Sequence, residues 1–361
     1  MFAACSATLV VLAACARRET ATVAIGAAGP WSERYGWMNK RGVELAIDEV
    51  NAQHLIPGRT LRLVARDDKG SGTEAVAIAQ GFVKDPSIVA VVGHVNSGAM
   101  VAAAKVYHGQ LPAVSTTASS PNLSGVSPWV FRVISSDSVN GADLARFAAG
   151  LGRRRAAILY ENNSYGRGLA DAFGRAFAGE IVAVDPIAEG PDDFEPFVSY
   201  YKRSARPDIV FVAGTEQSGL SLVREVRRQE FGADLLGGDG WTGIVLDTAA
   251  AEGVYVGAPF SATDPRAEAQ RFVAAYQRKF GEVPDGNAAL AYDATMVIAR
   301  AIARGGARRE RVRDLLAAEG GAAAFAGATG MIRFQRNGDP EGRGFVMTRV
   351  RRGALLVADK Q

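Results

Sequence analysis

Strand and helix signals alternate along this chain, and the alternation restricts the fold more than any other feature of the sequence. The run at 88–92 is continuous and rich in β-branched residues, which is typical of a buried parallel strand. Elsewhere apolar residues recur with helical spacing, as at Val43, Ile47 and Val50 within 36–52. Because strand and helix alternate through two successive halves, the sequence predicts two doubly wound α/β lobes.

Length and composition narrow the class of protein further. A chain of 361 residues corresponds to roughly two domains. Its 48% hydrophobic residues can form sizeable cores, which excludes a disordered chain. The net charge of +3 does not favour a nucleic-acid partner. Both cysteines, Cys5 and Cys15, lie near the start and the three histidines are far apart, so we expect no metal site and no cofactor.

The first residues form an apolar segment that is too short to cross a bilayer comfortably as a helix. Residues 2–14 fit the apolar region of a secretory signal, although no Lys or Arg precedes them. The segment ends in the sequence LAAC at Cys15, which resembles a bacterial lipoprotein box. We therefore predict a lipoprotein signal peptide at 1–14, then a lipidated Cys15 and a tether that together cover 15–22. The alternative is an ordinary signal peptide in which the cysteine is incidental.

Several candidate ligand residues follow the strands of the first half, where the carboxyl ends of parallel strands form binding crevices. Ser97 begins a helix, so its hydroxyl and the free helix amides could hold a carboxylate; the alternative is a simple N-cap. Thr117 and Ser119 belong to a hydroxyl-rich loop that suits an anion, or is only a solvated loop. Trp31 and Tyr35 lie in the first loop and either contact a ligand or cover the core.

The second half offers candidates of a different chemistry. Tyr165 stands just before a helix, as a ligand contact or a surface ring, and Asp239 lies among glycines. Gly238, Gly240 and Gly243 match the dinucleotide fingerprint, but the match comes late in the chain and follows a poor strand, so we reject that interpretation. A carboxylate in such a loop fits a ligand ammonium better. An acid-binding half facing an amine-binding half is what a zwitterion requires.

In the order and spacing of its motifs the chain resembles the periplasmic branched-chain amino acid binding proteins of ABC transporters, the type I leucine/isoleucine/valine-binding family. The resemblance covers about 22–350 and depends on no single motif. The segments that carry it are Gly29-Pro30 with Tyr35-Gly36, 42–52, Asp67-Asp68, Gly93-His94 with Ser97, Ser115 with 118–121, 165–168, 238–240 and 291–294.

The family resemblance implies a type I periplasmic binding protein fold, in which a hinge of three crossovers joins the two lobes. We place the crossovers near Ser135, Ser261 and Gly344. The implied boundaries are 23–134 plus 262–343 for lobe 1 and 135–261 plus 344–361 for lobe 2.

The resemblance also implies roles for individual residues. Ser97 and Ser119 match hydroxyls that hold the ligand α-carboxylate, and Thr117 matches a position that gives its backbone amide. Tyr165 matches the tyrosine of the second lobe that closes on the amino acid. Asp239 matches the acidic residue that pairs with the α-ammonium.

The side-chain pocket is less well defined. Tyr35 matches an aromatic residue near that pocket, and we expect Trp31, Trp241 and Tyr292 to help shape it. Thr215 stands where the family often has Tyr, which should enlarge the pocket or change its polarity. A disulfide found in some members is absent, with Lys69 and Asn96 in that region.

These features together predict an extracytoplasmic solute-binding lipoprotein of an ABC transporter, located in the periplasm or at the cell surface. We expect a monomer that delivers a branched-chain or other neutral amino acid to the transmembrane subunits of a permease. One alternative is a sensor of the same fold for amides, aromatic acids or another small solute. An enzyme is disfavoured, because no hydrolase or phosphate-loop motif occurs and the sequence suggests no carboxylate partner for His94.

Overall fold

The computed structural model describes residues 21–190, 193–318, 321 and 324–361, and these form an α/β protein with two parallel-dominated sheets. The predicted signal peptide and Cys15 lie outside the described residues. The strands are β1 Ala21–Gly29, β2 Arg59–Asp67, β3 Ile88–Gly93, β4 Ala113–Ser115, β5 Val130–Arg132, β6 Arg155–Glu161, β7 Glu180–Ile187, β8 Ile209–Ala213, β9 Asp234–Gly237, β10 Tyr255–Ala258, β11 Phe325–Gly327, β12 Gly330–Ile332, β13 Val346–Arg351 and β14 Ala354–Val357.

Helices connect the strands and cover both sheets. They are α1 Arg34–Ala52, α2 Gly72–Lys84, α3 Ser97–Tyr107, α4 Asp137–Gly150, α5 Ser164–Ala176, α6 Glu195–Tyr200, α7 Glu216–Arg228, α8 Thr248–Ala251, α9 Ala267–Phe280, α10 Gly286–Gly305 and α11 Arg309–Ala317. In the part of the chain that the structure covers, none of these helices has the length and apolarity needed to cross a bilayer.

The first sheet organises lobe 1. Its five strands lie in the order β2-β1-β3-β4-β5, and every neighbouring pair is parallel. All six residues of β3 are buried, because helices cover both faces of the sheet. Helices α9, α10 and α11 return to this sheet late in the chain, and their side chains share one core with β1, β3 and α1. Lobe 1 therefore consists of β1–β5, α1–α3, α9–α11 and the antiparallel pair of β11 and β12, which packs on the same core.

The second sheet organises lobe 2, with strands in the order β14-β13-β10-β9-β8-β6-β7. Strands β6 to β10 are parallel, whereas β13 and β14 form an antiparallel hairpin that pairs with β10. The chain passes between the sheets three times, after β5, β10 and β12. Ser135, Ser261 and Gly344, the residues predicted as crossovers, lie in these connections. The two doubly wound α/β lobes predicted from the sequence are thus confirmed.

Candidate functional site

A cavity of about 380 Å³ lies between the lobes, where loops at the carboxyl ends of both sheets face each other. Its size is in the ordinary range for a small-molecule site. Six of the predicted ligand residues line it, and the described residues contain no cluster of side chains that could hold a metal ion. The six are Tyr35, Ser97, Thr117, Tyr165, Thr215 and Asp239.

Ser97 is the best-organised residue on the lobe 1 side of the cavity. It is the first residue of α3, three residues beyond the loop start at His94 that follows the buried strand β3, and it is almost completely buried. Its Oγ accepts hydrogen bonds from the backbone amides of Ser119 (3.2 Å) and Ser120 (3.1 Å). Because both amides donate to this oxygen, the hydroxyl proton remains available for donation into the cavity.

Thr117 lines the same side, although its hydroxyl does not point towards a ligand. Its Oγ1 donates to the carbonyl of Val95 at 3.0 Å, which holds the loop against the start of α3. The residue therefore presents its backbone to the cavity. Gly98, in the first turn of α3, also lines the cavity, and the first amides of a helix have no partner inside the helix.

Ser119 lies behind the cavity wall, which differs from its expected role as a direct contact. Its side chain is fully buried, and its Oγ donates to Oδ2 of Asp137 at 3.0 Å. Asp137 is the first residue of α4, so this bond joins lobe 1 to lobe 2. Burial, and then the nearby charge of Asp239, raise the pKa of Asp137 to about 8. Ser119 acts on the site through its backbone amide, which positions Ser97.

Asp239 provides the negative charge on the lobe 2 side. It directly follows the turn after β9, and its Oδ1 accepts a hydrogen bond from the hydroxyl of Tyr165 at 2.9 Å. That hydroxyl in turn accepts from the amide of Gly240 at 3.2 Å. Burial raises the pKa of Asp239 to about 6, and burial also keeps Tyr165 protonated by raising its pKa well above the usual range.

The glycines around Asp239 are explained by packing and not by a dinucleotide. A Cβ on Gly238 would lie 2.9 Å from the Tyr165 hydroxyl, and one on Gly243 would collide with the carboxylate of Glu216. Close approach of Tyr165 and Glu216 to this loop therefore requires glycine at both positions. The rejection of the dinucleotide interpretation agrees with this geometry.

Thr215 and Tyr35 both line the cavity, as expected. Thr215 precedes α7, and its amide and hydroxyl donate to Oε1 of Glu161 at 2.9 and 2.6 Å. Tyr35 accepts a hydrogen bond from Nδ2 of Asn96 at 2.9 Å. Burial raises the pKa of Tyr35 to about 12, so its phenol remains a donor at neutral pH.

Three aromatic residues expected at the side-chain pocket are not on the cavity wall that the described residues form. Trp241 is fully buried in the lobe 2 core, where it packs against Gly237. Tyr292 donates to Glu49 at 2.6 Å and packs against Phe272 in lobe 1. Trp31 packs against the lobe 1 core. All three rings serve core packing, because large apolar surfaces are stabilised by burial.

Sequence reasoning missed several residues that line the cavity, among them Glu33, Asn96, Glu161 and Glu216. Glu161 ends β6 and is fully buried, with donors from Thr215, Ser218 and Asn163 around its carboxylate. Its position at the carboxyl end of a predicted strand could have identified Glu161 as a candidate site residue. Glu216 stands directly after Thr215, but nothing in the sequence distinguished it from an ordinary helix residue.

His94 has a carboxylate partner that the sequence did not reveal. Its Nδ1 lies 2.6 Å from Oδ2 of Asp68, and its Nε2 lies 3.0 Å from the hydroxyl of Tyr107. All three side chains are fully buried beneath the loop that carries Ser97. Both ring nitrogens are thus engaged within lobe 1, so His94 is not aimed at the Ser97 hydroxyl.

Two α/β lobes with a polar cavity between them define the class of two-lobed solute-binding proteins. The family model described as "Periplasmic binding protein" matches residues 22–354, so this chain belongs to the periplasmic binding protein family. The resemblance expected from the sequence is thereby confirmed.

Individual relatives agree with this assignment. A Pseudomonas aeruginosa protein named as leucine-, isoleucine-, valine-, threonine- and alanine-binding is 29% identical over 88% of this chain and 87% of its own. A Desulfitobacterium hafniense ABC transporter substrate-binding protein, solved with Leu, is 30% identical with a TM-score of 0.80, covering 93% and 100% of the two chains. A Streptococcus pneumoniae branched-chain amino acid transporter substrate-binding protein, solved with isoleucine, is 26% identical with a TM-score of 0.84, covering 94% and 99%.

Proposed function

We propose that this protein binds a free α-amino acid between its lobes and delivers it to the membrane subunits of an ABC transporter. The observation that carries the proposal is the chemistry of the two cavity walls. Lobe 1 offers the Ser97 hydroxyl, whose oxygen already accepts hydrogen bonds from two backbone amides, whereas lobe 2 offers the Asp239 carboxylate. The names of the relatives, which bind leucine, isoleucine and similar amino acids, support the same conclusion.

The carboxylate of the amino acid binds at the start of α3. Ser97 donates its hydroxyl proton, and Thr117 and the first turn of α3 supply backbone amides. The positive end of the helix dipole favours a negative group at this position. A hydrogen bond to a charged group is worth about 1.5–3 kcal/mol, so this end makes a large contribution to affinity.

The ammonium binds on the lobe 2 wall. Asp239 accepts from it, while the Tyr165 hydroxyl holds the carboxylate in position through its 2.9 Å bond. Because burial disfavours an isolated charge in this cleft, a cationic partner stabilises the ionised form of Asp239. An aromatic acid has no ammonium and leaves this carboxylate unpaired, which favours amino acids over that alternative.

Ligand binding and closure of the lobes are coupled, since each lobe provides groups for only one end of the zwitterion. The hydrogen bond from Nε2 of Gln217 to Oε2 of Glu33, at 2.8 Å, already joins the two lobes at the cavity.

We further propose that Cys15 carries a lipid anchor and that the protein acts as a monomer outside the cytoplasm. Binding is favoured over catalysis because His94 is engaged by Asp68 and Tyr107.

The proposal is tested by calorimetry with a panel of L-amino acids and with matched analogues. For the tightest ligand, the 2-hydroxy acid replaces the ammonium with a neutral hydroxyl, and the α-amide replaces the carboxylate. We expect each analogue to bind at least about tenfold more weakly, equivalent to 1.4 kcal/mol. Equal affinity of the hydroxy acid, or tighter binding of an aromatic acid such as benzoate, contradicts the two-ended recognition.

A further inference from the structure

The part of the cavity not used by the carboxylate and ammonium is polar. We call it the side-chain subsite and define it by Glu33, Tyr35, Lys69, Asn96 and Glu216, which all line the cavity. Among the described residues on the cavity wall, Val95 is the one aliphatic side chain. A leucine or isoleucine side chain placed here would bury apolar surface against amides and carboxylates and leave their hydrogen-bonding groups unpaired.

One acceptor in this subsite has no partner. The Nδ2 atom of Asn96 donates to the Tyr35 hydroxyl at 2.9 Å. Its Oδ1 atom is buried, and none of the described residues donates a hydrogen bond to it. A buried acceptor without a donor is unfavourable, so this oxygen calls for an N–H or O–H group from a ligand.

Glu216 adds a second acceptor. Its side chain is buried at the cavity wall. Burial raises the pKa of the Glu216 carboxyl. The charge of Arg34 opposes this shift, whereas the charges of Asp285 and Glu33 add to it. Arg34 is shared, because its Nη1 also lies 3.5 Å from Asp285.

The charges around the whole cavity also favour a ligand side chain that donates hydrogen bonds. Its lining contains the carboxylates of Glu33, Glu161, Glu189, Glu216 and Asp239, against the cations Arg34 and Lys69. Glu161 is satisfied by its hydroxyl and amide donors, and Asp239 is reserved for the ammonium. Carboxylates therefore outnumber cations around the cavity, and a negative ligand side chain is disfavoured.

We propose that the ligand is an amino acid whose side chain ends in N–H donors, such as a carboxamide, an ammonium or a guanidinium, and not in an aliphatic group. This inference rests on the proposed function, because the backbone of the amino acid must first be held by Ser97 and Asp239. The terminal N–H groups donate to Oδ1 of Asn96 and to the carboxylate of Glu216. The specificity of this chain then differs from that stated in the names of its leucine-binding relatives.

The test is calorimetry of the full chain with L-glutamine, L-arginine, L-lysine, L-leucine and L-glutamate. We expect glutamine or one of the basic amino acids to bind at least about tenfold more tightly than leucine and glutamate. Glutamine as the best ligand identifies a carboxamide, and arginine or lysine identifies a cation; either supports the proposal. Leucine binding as tightly as the best of them overturns it and leaves the proposed function intact.

Two variants separate the subsite from the rest of the cavity. Asn96→Leu and Glu216→Gln should each reduce the ratio of the affinity for the best ligand to the affinity for leucine at least about threefold. The control is Asp171→Asn, which changes an exposed carboxylate on α5. Glu216→Gln serves if Asn96→Leu does not fold, as judged by thermal melting. An unchanged preference in a folded variant overturns the assignment of that residue. If no amino acid of any class binds, the proposed function itself fails.

Discussion

The two walls of the cleft are built by different means. On lobe 1 the part of the wall proposed to hold the ligand carboxylate consists of a hydroxyl and backbone amides, fixed by bonds such as those from Ser119 and Ser120 to Ser97. On lobe 2 it consists of carboxylates at strand ends, and Asp239 there has a raised pKa. The carboxylate-binding part of lobe 1 therefore presents neutral donors that do not titrate, whereas Asp239 on lobe 2 presents a charge that depends on pH. We therefore expect lobe 1 to fix the position of the ligand carboxylate and lobe 2 to select a ligand with a positive charge.

The largest effect is expected from removing the charge on lobe 2. Asp239→Asn keeps the shape of the side chain but leaves the bound ammonium without its counter-charge. Loss of one partner of a buried charge pair costs about 2–5 kcal/mol, so affinity should fall roughly thirtyfold or more. Calorimetry with the tightest amino acid measures this, with Asp171→Asn as the matched control. A loss of affinity below threefold would mean that Asp239 does not pair with the ligand ammonium.

A smaller loss is expected on lobe 1. Ser97→Ala removes the hydroxyl donor and also the acceptor for two amides, while the helix amides of α3 remain. One charged hydrogen bond is worth about 1.5–3 kcal/mol, which corresponds to roughly a ten- to hundredfold loss. Ser204→Ala, at an exposed position of lobe 2, serves as the control. If Ser97→Ala binds as tightly as the wild type, the carboxylate is not held at α3.

The smallest effect comes from pH and sharpens the contrast between the walls. Burial raises the pKa of Asp239 to about 6, and only its ionised form pairs with an ammonium. As pH falls through 6 the carboxyl becomes protonated, so affinity should decrease about tenfold between pH 7 and pH 5. The Ser97→Ala protein should keep this dependence, and Asp239→Asn should lose it. Calorimetry at three pH values measures the slope, and a flat wild-type profile contradicts the prediction.

Much of the fold could be predicted, because buried parallel strands and amphipathic helices leave clear periodic signals. The run at 88–92 became β3 and the spacing in 36–52 became α1. The hairpin of β13 and β14 was not predicted, because its alternating pattern is short and its polar positions are mostly arginines. Its arginines alternate with apolar residues, and Arg349 lies over the ring of Tyr255 at 5.0 Å, so a charged strand is stabilised by contacts that only the folded lobe supplies.

The site could be predicted in part. Loops that follow strands are readable from sequence, which is why Ser97, Tyr165 and Asp239 were identified and do line the cavity. Which side chain of a loop faces the ligand depends on neighbouring elements. Ser119 turns towards Asp137, and Trp241 turns into the core, for reasons that lie elsewhere in the chain. The acceptor groups of Asn96 and Glu216 became visible only once their surroundings were known.

The most direct measurement is a crystal structure of the protein with the amino acid that calorimetry identifies as the tightest ligand. We expect the ligand carboxylate within about 3 Å of Oγ of Ser97 and the ammonium within about 3 Å of Asp239, with both lobes in contact with the ligand. A ligand bound with its ends reversed, or held by one lobe alone while Asp239 contacts only protein, contradicts the claim that lobe 1 binds the carboxylate and lobe 2 the ammonium.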